Sequence, residues 1–374
     1  MGSKRYLVLG TGVGKAIAYS LLKNPDNFVA IADVDLKTAT DARDSLYRPG
    51  CNYRPCLPME FRAGNTDTIP LFRCFDVVIS ALPAKYNFGL AKTAIKANVH
   101  FCDLGGVVEV TTQMLELNKR YPNTPVSVIP DCGLMPGLGI VIAKNLMRDL
   151  GGADSIEILV GGLPQKPQPP TFYQIVFNPE GLKHICYDPA PILSGGEVKL
   201  VEPFHDYGQI VVPELQRFSE KFNGCIECFV TAGASLAADS FRDWGVKYFA
   251  EKTVRWPGFV GFFHNVPADK FEETVKKYLT IPVDAENPDL VWMRVTAQKD
   301  GVKPKSMSLL DLYDNDTGLT AMQRTTGFTT AVIAEMMAEG KTKHGVSTPE
   351  NAFNHRGTTE LLNRVSDFID LRID

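Results

Sequence analysis

Between residues 5 and 131, short apolar runs alternate with stretches of helical spacing, and this alternation restricts the possible folds more than any other feature. RYLVL (5–9), FVAIAD (28–33), FDVVISALP (75–83), VHFCDLGG (99–106) and PVSVIPD (125–131) each read as a strand. They are apolar on both faces, as buried parallel strands are. Between them, KAIAYSLLK sets Ile17, Leu21 and Leu22 on one face with Ala18. Residues 36–46, YNFGLAKTAIKAN (86–98) and VTTQMLELNKRY also read as helices. Strands in alternation with helices make a parallel, doubly wound α/β sheet joined by right-handed crossovers.

Past residue 151 the pattern changes. GGADSIEILVGGLPQ is a strand with an irregular end, 164–170 is proline-rich, and VKLVEPF and IECFVTAG are short β-like stretches. Residues 289–314 read as a hairpin turning at Asp300-Gly301. This second region is mixed and mostly antiparallel. TAMQRTTGFTTAVIAEMMAEG (320–340) is then a long helix stopped by Gly340.

The turn after the first strand is LGTGVGKAIA, with glycines at 10, 12 and 14. A dinucleotide fingerprint reads G-x-G-x-x-G, so the third glycine comes one residue early. The first glycine of such a turn makes the bend, the second lets backbone approach a pyrophosphate, and the third permits close helix–strand packing. Gly10, Gly12, Val13 and Gly14 fit these functions, with the phosphate at the helix N-terminus. The second strand ends in Asp33, placed to accept hydrogen bonds from ribose hydroxyls. No basic residue follows at once (Val34, Asp35, Leu36, Lys37), so a 2′-phosphate meets carboxylate repulsion, and NAD is favoured over NADP.

The 374 residues suffice for about two domains. A net charge of −4 gives no reason to expect nucleic acid or an anionic membrane as partner, and no apolar run reaches the length of a membrane span. The chain runs almost from its start into a strand without a signal peptide, and its eight cysteines read as reduced thiols of a cytoplasmic protein. Cys225 and Cys228 form C-x-x-C with no second pair or histidine close in sequence, which fits two strand side chains better than a metal site. Cys51 and Cys56 flank a turn.

GKAIAYSL, VVISALP, HFCDLGG, PDCGLMPGLG, VGGLPQKPQPP, KTVRWPG and DLYDNDTGLTAMQRTTG occur in this order. Together they resemble the saccharopine dehydrogenase-like family, and most closely its lysine 6-dehydrogenase branch. DCGLMPGLG and TAMQRTTG are the most specific pieces. The chain departs from the family pattern at the shortened turn, at Val107 and at Phe259, where a histidine is common. The resemblance implies a Rossmann domain (1–131 plus 318–374) interrupted by a mixed α+β catalytic and dimerisation domain (132–317). It implies oxidation of a C–N bond with a nicotinamide cofactor. In the lysine branch, L-lysine becomes allysine, which cyclises to piperideine-6-carboxylate, releasing ammonia and NADH. A saccharopine- or carboxynorspermidine-type reaction and a non-catalytic nucleotide-binding protein are the alternatives. The expected partners are an amino acid and a second copy of the chain.

Four stretches meet at the carboxyl ends of the strands, where such sheets bind ligands: 10–14, 80–83, 103–106 and 131–137. Ser80, Ala81, Leu82 and Pro83 are placed to line the nicotinamide ribose, Ser80 being equally suited to cap a helix. Asp103 can hold a ribose or an ammonium, or move a proton, unless it only shapes the turn before its two glycines. Cys132 precedes GLMPGLG and a helix; its thiol is either lowered in pKa there and able to relay a proton, or a small buried hydrophobe. Gly133, Pro136 and Gly137 suit an anion-friendly helix start. Arg255 can clamp an α-carboxylate, aided by Lys252, or sit in an ordinary surface ion pair. Thr231 and Glu227 are candidates for the amino end, Glu227 also reading as a solvated strand residue. Tyr173 either closes over the pocket or packs in the core. No metal is required.

Overall fold

The computed structural model describes residues 3–46, 56–64, 68–177, 179–231 and 236–373. The chain divides into two compact units, Met1–Val141 with Gln323–Phe368, and Ile142–Met322 with Ile369–Asp374.

Six strands follow in chain order in the first unit: β1 (Arg5–Leu9), β2 (Phe28–Asp33), β3 (Leu57–Glu60), β4 (Val77–Ser80), β5 (His100–Asp103) and β6 (Ser127–Ile129). With a short strand at Gly345–Val346 they form one sheet, ordered 345–346, β6, β5, β4, β1, β2, β3. Every pairing in it is parallel. This is the 3-2-1-4-5-6 order of a Rossmann sheet, and the order reverses between β1 and β4. The helices α1 (Gly14–Leu22) and α2 (Leu36–Leu46) follow the first two strands. Leu7, Leu9, Val78, Phe101 and Val128 of the strands share a core with Leu90, Ala94 and Ile95 of the helix Asn87–Ala97. β3 is not apparent from the sequence. LPME is four residues long, nowhere fully buried, and contains proline, which edge strands tolerate because one side of their backbone needs no ladder bond.

The second unit holds β7 (Ser155–Pro164), β8 (Ala190–Ser194), β9 (Glu197–Val201), β10 (Gly208–Val211), β11 (Cys225–Val230), β12 (Tyr248–Arg255), β13 (Asp289–Gln298) and β14 (Lys305–Leu312). Its sheet runs β10, β11, β12, β7, β13, β14 and a tail strand, Leu371–Ile373, while β8 pairs with both β12 and β9. β7 and β12 are parallel, and the other pairings are antiparallel. β13 and β14 form the expected hairpin. The tail overturns one expected boundary: Ile369–Asp374 belong to the second unit, because Leu371–Ile373 hydrogen-bond along β14.

The long helix Ala321–Ala338 begins on a built cap. Both carboxylate oxygens of the buried Asp289 accept from its first amides, Ala321 N at 2.8 Å and Met322 N at 3.1 Å. Farther along, within the first unit, the helix lies on α1. A Cβ on Gly327 would stand 2.7 Å from Ala16 Cβ and 3.1 Å from Ile17 N. Among the described residues no helix is long and apolar enough to cross a membrane.

Candidate functional site

The glycine turn lies where the strand order reverses. Gly10 has φ +94°, and a Cβ there would meet Ala81 O at 2.7 Å, so the bend and the close passage of the β4 end both require glycine. Gly14 opens α1, and a Cβ on it would touch Val8 Cγ1 at 3.1 Å; the early third glycine therefore still serves helix–strand packing. Above Gly12 there is open space within 4 Å. No side chain caps the start of α1. The helical ladder begins at Lys15 N, which donates to Thr11 O at 3.3 Å, so the amides of Gly12, Val13 and Gly14 precede it. An open cradle with free-standing first-turn amides fits a pyrophosphate. Gln323 Nε2 from the long helix donates to Gly12 O at 3.1 Å and holds the turn from behind.

Asp33 ends β2 beside this turn. Thr11 Oγ1 donates to its Oδ2 at 2.8 Å and Val34 N to its Oδ1 at 2.8 Å. Each carboxylate oxygen keeps a second lone pair for a sugar hydroxyl. Thr11 is a residue the sequence reading passed over; it fixes the rotamer of the acid. Glu60 of β3 is the register partner of Asp33 and adds a second carboxylate, itself paired with Arg62. Lys37, the first base after Asp33, is turned to Asp41 at 2.6 Å.

At the end of β4, Ser80 is fully buried and its hydroxyl donates to Asn87 Oδ1 at 2.7 Å, in the first turn of the following helix. The strand end nearer solvent is Ala81 and Leu82, half-buried, then the exposed Pro83. Asp103 closes β5. Its Oδ1 accepts from Gly105 N at 2.7 Å and Asp131 N at 3.3 Å, while its Oδ2 is buried with no partner. Burial pushes this carboxyl up to about 7 against those two donors. Asp131 is equally buried, and burial plus the neighbouring Asp103 charge hold it well above the carboxylate range, despite the bond from Thr111 Oγ1 at 3.0 Å. Asp131 was not singled out from sequence, where it reads only as a strand-end acid.

Cys132 corrects an expectation. The helix after it starts at Leu138, and the thiol is fully buried, donating to Ile129 O at 3.2 Å. Burial and the adjacent Cys102 thiol push its pKa well up, not down, so it is a packed small hydrophobe and no proton relay.

The second unit gathers its polar candidates on one sheet face. In the antiparallel pair β11–β12, Glu227 faces Arg255 and Phe229 faces Thr253. Side chains alternate along strands, so Glu227, Phe229 and Thr231 share this face with Glu251, Thr253 and Arg255. Thr231 Oγ1 lies 3.1 Å from Thr253 Oγ1. Arg255 is 1% exposed; one Nη donates to Val254 O at 2.8 Å and its Nε has no partner. Its Cζ stands 4.6 Å from the Tyr173 ring centre and 5.3 Å from that of Phe259. No described carboxylate forms an ion pair with it, so the surface-pair alternative is wrong. Tyr173 is buried core, edge-on to Phe259, with its hydroxyl unpartnered.

Two further expectations fail here. Glu227 is no solvated residue: it is buried, and its oxygens accept from Gly258 N at 3.2 Å and Val260 N at 2.6 Å, which occupies it at the start of the short helix Phe259–Phe263. Lys252 does not assist Arg255. Three positions apart on a strand, the two point to opposite faces, and Lys252 pairs with Asp206 at 2.8 Å and Glu157 at 3.5 Å. Sequence reading also missed Glu251, whose Oε2 is buried without a partner and whose carboxyl burial alone pushes up to about 7. The signal was there, in the E-x-T-x-R spacing of one strand face. Among the described residues no cluster of His, Cys, Asp or Glu could hold a metal, and Cys225 and Cys228 lie on opposite faces of β11. Cys51 lies outside the described residues.

Comparison with known proteins gives the following. Residues 6–129 match the profile of the saccharopine dehydrogenase NADP binding domain, and residues 133–368 that of the saccharopine dehydrogenase C-terminal domain. Alpha-aminoadipic semialdehyde synthase of Arabidopsis thaliana is 28% identical over 197 residues, 49% of this chain and 17% of that protein. The mitochondrial alpha-aminoadipic semialdehyde synthase of Mus musculus is 26% identical over 203 residues, 52% of this chain and 21% of that protein. The chain thus matches about a fifth of the length of these curated relatives. Apo saccharopine dehydrogenase (L-Glu forming) from Saccharomyces cerevisiae superposes with a TM-score of 0.75 at 14% identity, covering 99% of this chain and all of that one. Homospermidine synthase from Legionella pneumophila, solved with NAD, superposes with a TM-score of 0.66 at 11% identity, covering 99% of this chain and 91% of that one. These likenesses agree on the fold, and the profile match makes residues 6–129 an NAD(P)-binding domain.

Proposed function

The chain belongs to the saccharopine dehydrogenase family of NAD(P)-binding oxidoreductases, and on that premise we propose that it oxidises a C–N bond of an amino acid with NAD, L-lysine passing its hydride to NAD and the resulting imine taking up water to give allysine, ammonia and NADH. The observation that carries this reading is Arg255: a buried guanidinium in an aromatic cage, with a donor unused and no described carboxylate at ion-pair distance, the acid that faces it, Glu227, being held by the amides of Gly258 and Val260. Such a charge is costly unless a ligand supplies the anion, and an α-carboxylate does so with two parallel hydrogen bonds.

The preference for NAD rests on Asp33 with Glu60 beside it and Lys37 paired elsewhere. Gly10, Gly12, Val13 and Gly14 would hold the pyrophosphate, Asp33 the adenosine ribose, and Ala81 to Pro83 the nicotinamide half. When bound, the nicotinamide supplies the hydride acceptor. Asp103 takes the proton of the substrate ammonium. Its unpartnered Oδ2 offers a lone pair, and a pKa near 7 leaves it both free to accept and able to release at neutral pH. Thr231 shares the sheet face of Arg255, and Tyr173 packs its ring against the guanidinium and holds it in place. We read the enzyme as a cytoplasmic homodimer.

A saccharopine-type substrate is the second reading, favoured by the matches over both domains. A panel of lysine, ornithine, diaminopimelate and saccharopine, followed at 340 nm with NAD and with NADP, decides. NADH formed with lysine and one ammonia per turnover supports the first reading. Turnover of saccharopine alone supports the second. A flat trace with every amino acid, together with tight NADH binding, overturns both.

A further inference from the structure

One sheet face of the second unit carries, on a single strand, a buried guanidinium with its Nε unpartnered and a buried carboxyl with its Oε2 unpartnered. Glu251 and Arg255 both belong to β12 and, four positions apart, point the same way. Glu251 is 8% exposed, and its Oε2 is buried with no hydrogen-bond partner. Thr231 and Thr253, which lie between, satisfy each other. Glu227, the other acid of this face, is occupied by the amides of Gly258 and Val260. The acids paired with Lys252, Asp206 and Glu157, lie against the opposite face of the strand. Glu251 is therefore the one carboxylate of this face, among the described residues, without an assigned partner.

The spacing suits one class of ligand. Four strand residues span about 13 Å. An extended lysine measures roughly 7–8 Å from its carboxylate carbon to its terminal nitrogen by ordinary bond lengths. A hydrogen bond of about 3 Å at each end brings the total to about 13–14 Å. Side chains of a strand stand roughly perpendicular to the sheet, so this comparison of lengths holds above the strand as well as along it.

We infer that Glu251 receives the ammonium group at the end of the substrate opposite the carboxylate held by Arg255, so that this pair selects amino acids carrying a second, terminal amine over those without one. The inference rests on the amino-acid reading above and adds the residue that sets chain length and charge. Burial with no compensating donor makes the free carboxyl reluctant to ionise, and an arriving ammonium restores the charged form.

The test compares L-lysine with L-norleucine, the same chain without the terminal amine, by titration calorimetry of the full chain with NADH present. Wild type is expected to hold lysine at least tenfold more tightly, the scale of one charge-assisted hydrogen bond. Glu251→Gln should cut lysine's advantage over norleucine about tenfold, Asp103 retaining the rest, and leave norleucine within twofold of wild type, and Glu251→Asp should recover part of the difference. Arg255→Lys should weaken both ligands in parallel. A thermal melt comes first; if Glu251→Gln does not fold, Glu251→Met, apolar and of similar length, replaces it with the same readout. Two results overturn the role of Glu251 and leave the amino-acid reading standing: a Glu251→Gln chain that keeps the wild-type ratio, or a wild type that binds both ligands alike. A wild type that binds neither overturns both.

Discussion

Replacing Gly327 by alanine sets two effects of known size against each other. Glycine inside a helix costs about 1 kcal/mol relative to alanine, so on an isolated helix the change stabilises. In this fold the added Cβ would lie 2.7 Å from Ala16 Cβ, 3.1 Å from Ile17 N and 3.3 Å from Ala16 C. Carbon atoms settle at about 3.5–4.0 Å, so the long helix and α1 must part by roughly 0.8 Å or more. None of the three atoms is the free end of a flexible side chain, and Ala16 is fully buried. Relief therefore has to come from backbone, which puts the overpacking cost near the top of its usual range of about 1–3 kcal/mol. The net expectation is a loss of about 1–2 kcal/mol, which lowers the melting temperature by about 2–8 °C for a unit of this size. Circular dichroism melts measure it. Fluorescence titration with NADH should show weaker binding as well, because α1 carries the amides of the glycine turn at its start. A variant that melts at or above wild type would refute the reasoning: helix propensity would then outweigh the contact, and this glycine would have no packing role.

Asp33→Asn keeps an acceptor for Val34 N, turns its amide N–H to donate to Thr11 Oγ1, and removes the charge, so the ratio of kcat/KM with NADP to that with NAD should rise about tenfold or more; an unchanged ratio refutes the repulsion argument. The rate with wild type should climb with pH through about 7 as Asp103 ionises, and Asp103→Asn should lose that limb together with about 10²–10⁴ in kcat/KM; a retained limb assigns the titration to another group. Glu251 keeps its proton in the folded chain up to about 7, whereas the unfolded chain releases it near 4.5. The folded state then binds the extra proton in that window, so this group subtracts stability as pH rises from about 4.5 to about 7. Glu251→Gln should melt with wild type at pH 4.5 and above it at pH 8; equal melts at pH 8 would show that the carboxyl is not strained by burial.

The first sheet was legible because its strands are buried on both faces. FVAIAD and VVIS cannot be solvated loops, and the helices between them fix their direction. The edge strands were not, since β3 and Gly345–Val346 need little apolar character where only one neighbour pairs with them. Among the site residues, the glycines and Asp33 could be placed because a turn and a strand end are local. Arg255 could be read as a candidate for a carboxylate clamp, but its burial was not legible. Glu227 and Cys132 misled for one reason: what decides their chemistry is a partner or a burial supplied by other segments, the amides of 258–260 for one and the core around Ile129 and Cys102 for the other. Lys252 needed only the two-residue period of a strand, and that strand had not been identified.

Both sheets take their outermost strand from residues beyond 340. On the ribosome, β6 and β14 therefore emerge with one side of their backbone unsatisfied and keep it so until Gly345–Val346 and then Leu371–Ile373 arrive. At roughly 5–20 residues per second the wait at β6 is about ten seconds or more. Bare strand edges invite pairing with any neighbouring nascent chain. Loss of Leu371–Ile373 would leave β14 in that condition permanently, turning a three-residue deletion into a source of aggregates with the glycine turn and the face of Arg255 unaltered.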